Sequence, residues 1–204
     1  MSKGTPDQVP DDGLTTAQRR HRPGLIVNTG AGKGKSTAAF GTALRGWHQG
    51  WSVGVFQFVK SGRWRSGEQA VFEALDRVHR ETGAGGPVRW HTLGAGLTWT
   101  RAGSDREAQA EAASATWAEV RSALAAQTHS LYLLDEFTYP LTWGWLDLDE
   151  VIDTLATRPG VQHVIITGRN APQPLLDIAT TVTEMTKLKH PFDDGQKGQA
   201  GIEW

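Results

Sequence analysis

The sequence contains no cysteine, which excludes disulfides, thiolate metal ligands and a cysteine nucleophile. It also has no run of the roughly 20 apolar residues that a membrane-spanning helix needs. The chain also has no large excess of either charge. Its 21 Lys and Arg nearly balance its 22 Asp and Glu, which gives a formal net charge of −1. Such a chain has no general electrostatic attraction to nucleic acid or anionic membranes. We therefore expect neither nucleic acid nor a membrane as a partner.

The length of 204 residues suits one domain with a hydrophobic core. Residues 1–22 are rich in Pro, Asp and Gly and end in the basic sequence RRHR, so they are predicted to form a flexible N-terminal arm. A tail without any task fits this composition equally well. Residues 23–204 form the predicted domain. The polar N-terminus lacks the basic and apolar regions of a signal peptide, and a cytoplasmic protein is expected.

The most informative segment is rich in glycine. Residues 25–37 read LIVNTGAGKGKST, which is typical of a short buried strand, a turn and the first turn of a helix. Gly30, Gly32 and Gly34 permit backbone angles and close approach that a side chain would prevent. The amides of such a loop, at a helix N-terminus, can point together at a bound phosphate. The pattern therefore predicts a phosphate-binding loop, and a flexible glycine-rich turn is the alternative.

Polar residues of this loop suggest how the phosphates and a metal ion are held. Lys35 would place its ammonium among phosphate oxygens, and Ser36 would offer its hydroxyl to Mg²⁺. Thr29 stands where the usual motif G-x-x-x-x-G-K-[ST] has its first glycine. The loop is therefore predicted to bind phosphate without necessarily holding the nucleotide in the usual way.

Apolar strand patterns alternate with helical patterns through the rest of the chain. A strand–helix alternation predicts an α/β fold with a mostly parallel sheet and helices on both faces, here a single P-loop NTPase-like (RecA-like) domain. A helix follows the loop and ends at Gly50, with apolar residues Ala39, Phe40, Ala43, Leu44 and Trp47 at helical spacing. The further predicted strands are 53–60, 88–91, 131–134, 161–167 and 180–185, and the further helices are 68–80, 105–126, 147–156 and 174–179.

An acidic pair follows the fourth of these strands. Asp135 and Glu136 resemble a Walker B pair, and either would hold Mg²⁺ directly or through water. Any strand can end in acidic residues, but the phosphate loop upstream favours the metal role. Arg169 follows the strand at 161–167, where open α/β sheets bind ligands.

Three basic residues lie just after the strand at 53–60. Lys60, Arg63 and Arg65 would stand near its carboxyl end, again where such sheets bind ligands. Ordinary surface charge explains them equally simply.

Five segments and the tail, in order along the chain, share one resemblance. The segments are TGAGKGKSTAAFG at 29–41, VFQFVK at 55–60, LTW at 97–99, LDEFTY at 134–139 and VIITGR at 164–169, and the tail contributes KHPFD at 189–193 and GIEW at 201–204. Together they resemble the ATP:corrinoid adenosyltransferases of the cob(I)yrinic acid a,c-diamide type, over roughly residue 24 to the end.

The resemblance implies a reaction. The family transfers the 5′-deoxyadenosyl group of ATP to Co(I) of a corrinoid and releases triphosphate, in adenosylcobalamin biosynthesis or salvage. It holds ATP in a reversed sense, with the γ-phosphate where other P-loop proteins hold the α-phosphate. Thr29 is normal for the family, whereas Ala31 stands where Asn or Asp is usual. Because Co(I) is a nucleophile without a proton, no general base is required. The reaction needs positioning and charge stabilisation on the departing triphosphate.

The resemblance also implies roles for residues and partners. Lys35, Asp135 and Glu136 would be catalytic, and Ser36, Asp135 and Glu136 would hold Mg²⁺. Leu97 and Trp99 would contact the corrinoid and displace its lower ligand, although the family has Phe where this chain has Leu97. A flavoprotein reductase would supply the electron, and a homodimer would close the arm over the corrinoid site. The ATP-binding residues would be Thr29, Gly30, Ala31, Gly32, Lys33, Gly34, Lys35, Ser36, Thr37 and Arg169.

Two other functions are compatible with a phosphate loop. One is a P-loop ATPase or switch module, in which hydrolysis drives a conformational change, and the other is a small-molecule kinase. Both would release ADP, whereas the adenosyltransferase releases triphosphate.

Overall fold

The computed structural model describes residues 13–15, 17–18, 21–58, 67–92 and 106–202. Within these ranges six parallel strands form one sheet, in the order β3-β2-β4-β5-β1-β6. The strands are β1 Leu25–Thr29, β2 Val53–Gln57, β3 Val88–Thr92, β4 Leu131–Asp135, β5 His163–Thr167 and β6 Thr181–Glu184. The helices are α1 Lys35–His48, α2 Gly67–Thr82, α3 Arg106–Ala125, α4 Thr138–Thr142, α5 Leu148–Thr157 and α6 Gln173–Ile178, followed by a 3₁₀ turn at Pro191–Asp194. The predicted α/β class with a parallel sheet is confirmed.

Alternating strand residues face two separate hydrophobic cores. In β4, Leu131 and Leu133 pack with α1 and α2 on one face, whereas Tyr132 and Leu134 pack with α3, α5 and α6 on the other. All five residues of β4 are buried because helices cover both faces. This explains why the strands appear as continuous apolar runs in the sequence.

The strand order places the phosphate loop beside the acidic pair. Strand β5 lies between β1 and β4, so the carboxyl ends of these three strands are neighbours. The helix after β1 packs on one face of the sheet and the helix after β5 on the other. Neighbouring strands whose connections leave to opposite faces create the crevice where open α/β sheets bind ligands.

Several predicted boundaries needed correction. The predicted β2 extends to residue 60, but the strand ends at Gln57, and residues 59–66 lie outside the described part. Leu44, assigned to the apolar face of α1, is 44% exposed. The short helix α4 was missed, because its five residues include Pro140 and have no room for a helical period.

Some predictions concern parts of the chain that the structure does not describe. Lys60, Arg63, Arg65, Leu97 and Trp99 all lie outside the described residues. In the predicted arm, residues 13–15, 17–18 and 21–22 are described, and one hydrogen bond there joins the Thr15 amide to Gln18 Oε1 at 2.8 Å. The boundary between arm and domain stays a prediction. Each helix in the described ranges is too short or too polar to cross a membrane.

Candidate active site

The phosphate loop packs against the end of β6. Gly32 donates its amide to Met185 O at 2.6 Å, and Gly30 and Gly34 have φ angles of 95° and 102°. A Cβ at Gly30 or Gly32 would lie 2.6 or 2.7 Å from the same carbonyl oxygen. These two glycines are therefore required by the close approach of a neighbouring backbone, in addition to any bound phosphate.

The Lys35 side chain folds back over the loop. Its ammonium donates to the carbonyl oxygens of Gly30, at 2.9 Å, and Gly32, at 2.5 Å. Burial, followed by repulsion from Arg169, lowers the pKa of Lys35 below its usual value, and attraction to Glu136 opposes the shift. Phosphate oxygens would compete for the same ammonium protons and relieve the repulsion.

Asp135 is fully buried at the end of β4 and serves as an acceptor for three side chains. Its Oδ1 accepts from Ser36 Oγ at 2.7 Å and from Thr167 Oγ1 at 2.8 Å, and its Oδ2 accepts from Gln57 Nε2 at 3.2 Å. Because the Ser36 hydroxyl donates its proton to Asp135, the lone pairs of Ser36 Oγ can bind a cation. Asp135 therefore orients the Ser36 hydroxyl from the buried side of the cleft.

Glu136 has an unusual backbone conformation, and its amide is held by the Thr167 hydroxyl. Its φ angle is 59°, and its amide donates to Thr167 Oγ1 at 2.9 Å. Thr138 Oγ1 donates to the carbonyl of Arg169 at 2.7 Å. A Cβ at Gly168 would lie 2.0 Å from the same hydroxyl oxygen, so this position must be glycine. These contacts tie the carboxyl end of β4 to that of β5.

These elements surround a cleft of about 300 Å³. The predicted residues 32–37, Glu136 and Arg169 line it. Other predicted residues lie elsewhere: Asp135 is buried and does not line the cleft, and Thr29 Oγ1 accepts from the Ala171 amide at 3.2 Å. The cleft therefore combines the cations of Lys35 and Arg169 with a carboxylate.

Four further residues line the cleft without having been assigned a role from the sequence. They are Glu68, Tyr139, His190 and Ile202. Tyr139, His190 and Ile202 belong to segments that carried the family resemblance, which was the available signal. Nothing in the local pattern of Glu68 indicates a site, because only the fold brings it to the loop.

The donor set at the cleft fits a magnesium ion. The described residues contain no group of three or more His, Cys, Asp or Glu that could enclose a metal. Mg²⁺ in nucleotide sites needs no such cage, since it keeps several waters and binds substrate phosphates with one or two protein oxygens. The Ser36 hydroxyl and the Glu136 carboxylate, both at the cleft, are oxygens of the required kind.

Fold and cleft together are those of a P-loop NTPase-like domain of the α/β class. A family model described as ATP:corrinoid adenosyltransferase BtuR/CobO/CobP matches residues 21–204. The chain belongs to this family, which confirms the resemblance and the assignment as a transferase.

Curated relatives agree with this family over nearly the whole chain. The corrinoid adenosyltransferase CobA of Salmonella typhimurium is 40% identical over 193 residues, covering 95% of this chain and 91% of the relative. The corrinoid adenosyltransferase of Escherichia coli is 40% identical over 180 residues, covering 88% and 85%. That of Pseudomonas aeruginosa is 39% identical over 189 residues, covering 92% and 87%.

Proposed function

We propose that this chain binds MgATP in the cleft and transfers the 5′-deoxyadenosyl group to Co(I) of a corrinoid, in adenosylcobalamin biosynthesis or salvage. The observation that carries the proposal is the convergence of the loop, the ends of β4 and β5 and their polar side chains on one cleft, in a member of this family. The electron pair of Co(I) forms the bond to C5′, and the C5′–O bond breaks with its electrons passing to triphosphate. No proton is transferred in this step.

The leaving triphosphate determines what the protein must supply. Negative charge accumulates on the bridging oxygen as the C5′–O bond breaks, and fixed cations at that position lower the barrier. Lys33, Lys35 and Arg169 are available for this purpose. Loop amides and the Thr37 hydroxyl add donors at the start of α1.

We assign different roles to the two acids. Glu136 lines the cleft and would be the carboxylate nearest the bound cation, whereas buried Asp135 would act by orienting Ser36. Magnesium, when bound, would neutralise phosphate charge. The protein residues would hold the triphosphate in one orientation, so that C5′ faces the cobalt.

The orientation of ATP follows from the family resemblance. We propose the reversed sense, with the γ-phosphate where other P-loop proteins hold the α-phosphate. This is compatible with Thr29 at the position of the usual first glycine, where its hydroxyl holds the Ala171 amide. A polar contact that other family members make at position 31 would be absent, because Ala31 has no donor or acceptor in its side chain.

The corrinoid and the partners are part of the same proposal. Leu97 and Trp99 would contact the corrinoid, and a flavoprotein reductase would deliver the electron. The protein would act in the cytoplasm as a homodimer, with residues 1–22 closing over the corrinoid site. These statements depend on the family alone.

Product analysis tests the proposed reaction directly. The protein is incubated with MgATP and chemically reduced cobalamin, and phosphorus NMR is recorded alongside the visible spectrum of the corrinoid. We expect triphosphate and adenosylcobalamin in equal amounts. ADP, with or without free phosphate, would indicate an ATPase or a kinase and would refute the proposal.

A further inference from the structure

The segment after β6 brings a histidine to the phosphate cleft. Met185 N donates to Thr29 O at 2.9 Å, so the chain leaves β6 alongside the loop. Lys187 Nζ then donates to both carboxylate oxygens of Asp193, at 3.0 and 2.8 Å. These hydrogen bonds join the two ends of segment 187–193 into a closed loop. His190 lies in this closed segment and lines the cleft with the phosphate loop.

The backbone determines which ring nitrogen of His190 carries the proton. His190 is the N-cap of the 3₁₀ turn, with φ −141° and ψ 129°, and its Nδ1 accepts from the Phe192 amide at 3.1 Å. An amide N–H can only donate, so Nδ1 must be unprotonated in this arrangement. The proton of the neutral ring therefore sits on Nε2. Among the described residues, no hydrogen-bond partner of Nε2 is found.

The charged groups of the cleft indicate which kind of acceptor suits the Nε2–H of His190. The wall of the cleft includes the cations of Lys33, Lys35 and Arg169, which attract an oxyanion. It also includes the carboxylates of Glu68 and Glu136. The ring N–H of a histidine can donate a hydrogen bond to such an oxyanion. We propose that His190 is a further ligand-binding residue, whose Nε2–H donates to an oxygen of the bound triphosphate chain. This inference rests on the proposed function, because it takes the polyphosphate of that reaction as the ligand.

Two substitutions separate binding from capping. In His190→Asn, the side-chain oxygen occupies the place of Nδ1 and can still cap the turn, but the donor at Nε2 is lost. In His190→Gln, the amide reaches the place of Nε2 while the cap is weakened. The probe is inorganic tripolyphosphate with Mg²⁺, measured by titration calorimetry on the full chain. Thermal unfolding of each variant shows whether the fold is retained.

We expect the Asn variant to bind tripolyphosphate about tenfold more weakly, as for a lost hydrogen bond to a charged group, with an unchanged melting temperature. The Gln variant should bind within about threefold of the parent and melt a few degrees lower. Binding by the Asn variant equal to the parent's, or equal losses in both variants, would overturn the proposal.

Nitrogen NMR provides a readout that a purely structural role would not change. In the parent, Nδ1 of His190 should show the shift of an unprotonated nitrogen and Nε2 that of a protonated one, and only Nε2 should move markedly when tripolyphosphate is added. A protonated Nδ1, or an Nε2 unaffected by tripolyphosphate, would overturn the assignment. Because the parent's products are measured separately, these failures are distinguishable from failure of the proposed reaction.

Discussion

At the scale of single residues, Asp135 and Glu136 are adjacent in the chain but have different environments. Asp135 is buried beneath three donors, whereas Glu136 lines the cleft. Asp135→Asn should lower stability by roughly 1–3 kcal/mol, because an amide group replaces an acceptor in a buried network. Glu136→Gln should leave the melting temperature nearly unchanged and raise the magnesium concentration needed for turnover. Thermal unfolding and magnesium titration of product formation measure both effects, and the opposite pattern would reverse our assignment.

At Gly32, a neighbouring backbone leaves no room for a side chain. A Cβ there would lie 2.7 and 2.8 Å from the carbonyl oxygens of Met185 and Thr186, so Gly32→Ala must separate the loop from the end of β6. We expect a stability loss of about 1–3 kcal/mol and weaker ATP binding. Gly41 in α1 is the matched control, because it is exposed and a Cβ would meet no atom within 4 Å. Gly41→Ala should stabilise the helix by up to about 1 kcal/mol in urea unfolding. Equal effects of the two substitutions would contradict this account.

At the scale of elements, the ends of β4 and β5 are joined through the Thr167 hydroxyl. It donates to Asp135 and accepts from the Glu136 amide, and Thr167 is only 1% exposed. Thr167→Val keeps the shape but leaves the partly buried Glu136 amide without its acceptor, so we expect a loss of roughly 1–3 kcal/mol together with a lower kcat. Thr167→Ser retains the hydroxyl and should recover most of kcat. Valine and serine variants with equal kcat would mean that packing, and not the hydroxyl, matters here.

The elements also show how far the sequence could predict the fold. Helix α3 was predicted with its buried face, including Trp117 and Val120, because twenty residues give a clear helical period. The acid pair and the phosphate loop were found because each follows an apolar run. Helix α4 and the cleft positions of Glu68 and Ile202 were not found, since they depend on contacts between distant segments. The different environments of Asp135 and Glu136 likewise could not be predicted, because the burial of each depends on the fold.

At the scale of the whole molecule, partly buried histidines couple folding to pH. Burial, followed by the charges of His91 and Arg89, lowers the pKa of His129 from 6.5 to about 4. The unfolded chain therefore binds a proton between these values that the folded chain excludes. The stability due to neutral His129 is complete above pH 6.5 and is lost as pH falls to 4. Because the ring is only partly buried, solvent screening reduces this loss to about 1–2 kcal/mol. His91 and His163, also lowered mainly by burial, act in the same direction.

Urea unfolding from pH 7 to 4 measures this dependence. His129→Gln removes one titrating group, so its unfolding free energy should fall less steeply with acid than the parent's. The carboxylates titrate in both proteins and cancel in the difference. Parallel pH curves for the parent and the variant would show that His129 titrates normally in the folded protein.

Ligand binding should stabilise the whole domain, because the cleft is built from segments as distant as the phosphate loop and residue 202. Tripolyphosphate with Mg²⁺ at 100 times its Kd should add about 2.7 kcal/mol, provided it binds only the folded protein. For a domain of this size that corresponds to about 5–11 °C in melting temperature.

Lys35→Ala should abolish both this shift and turnover, because the ammonium supplies charge to the phosphates. Its removal should leave the ligand-free melting temperature within a few degrees, since only two hydrogen bonds to the carbonyls of Gly30 and Gly32 are lost and repulsion by Arg169 is relieved. The melting temperatures of parent and variant are compared with and without ligand by differential scanning fluorimetry. The same stabilisation in both proteins would mean that the polyphosphate binds elsewhere, and the placement of the triphosphate at the loop would have to be abandoned.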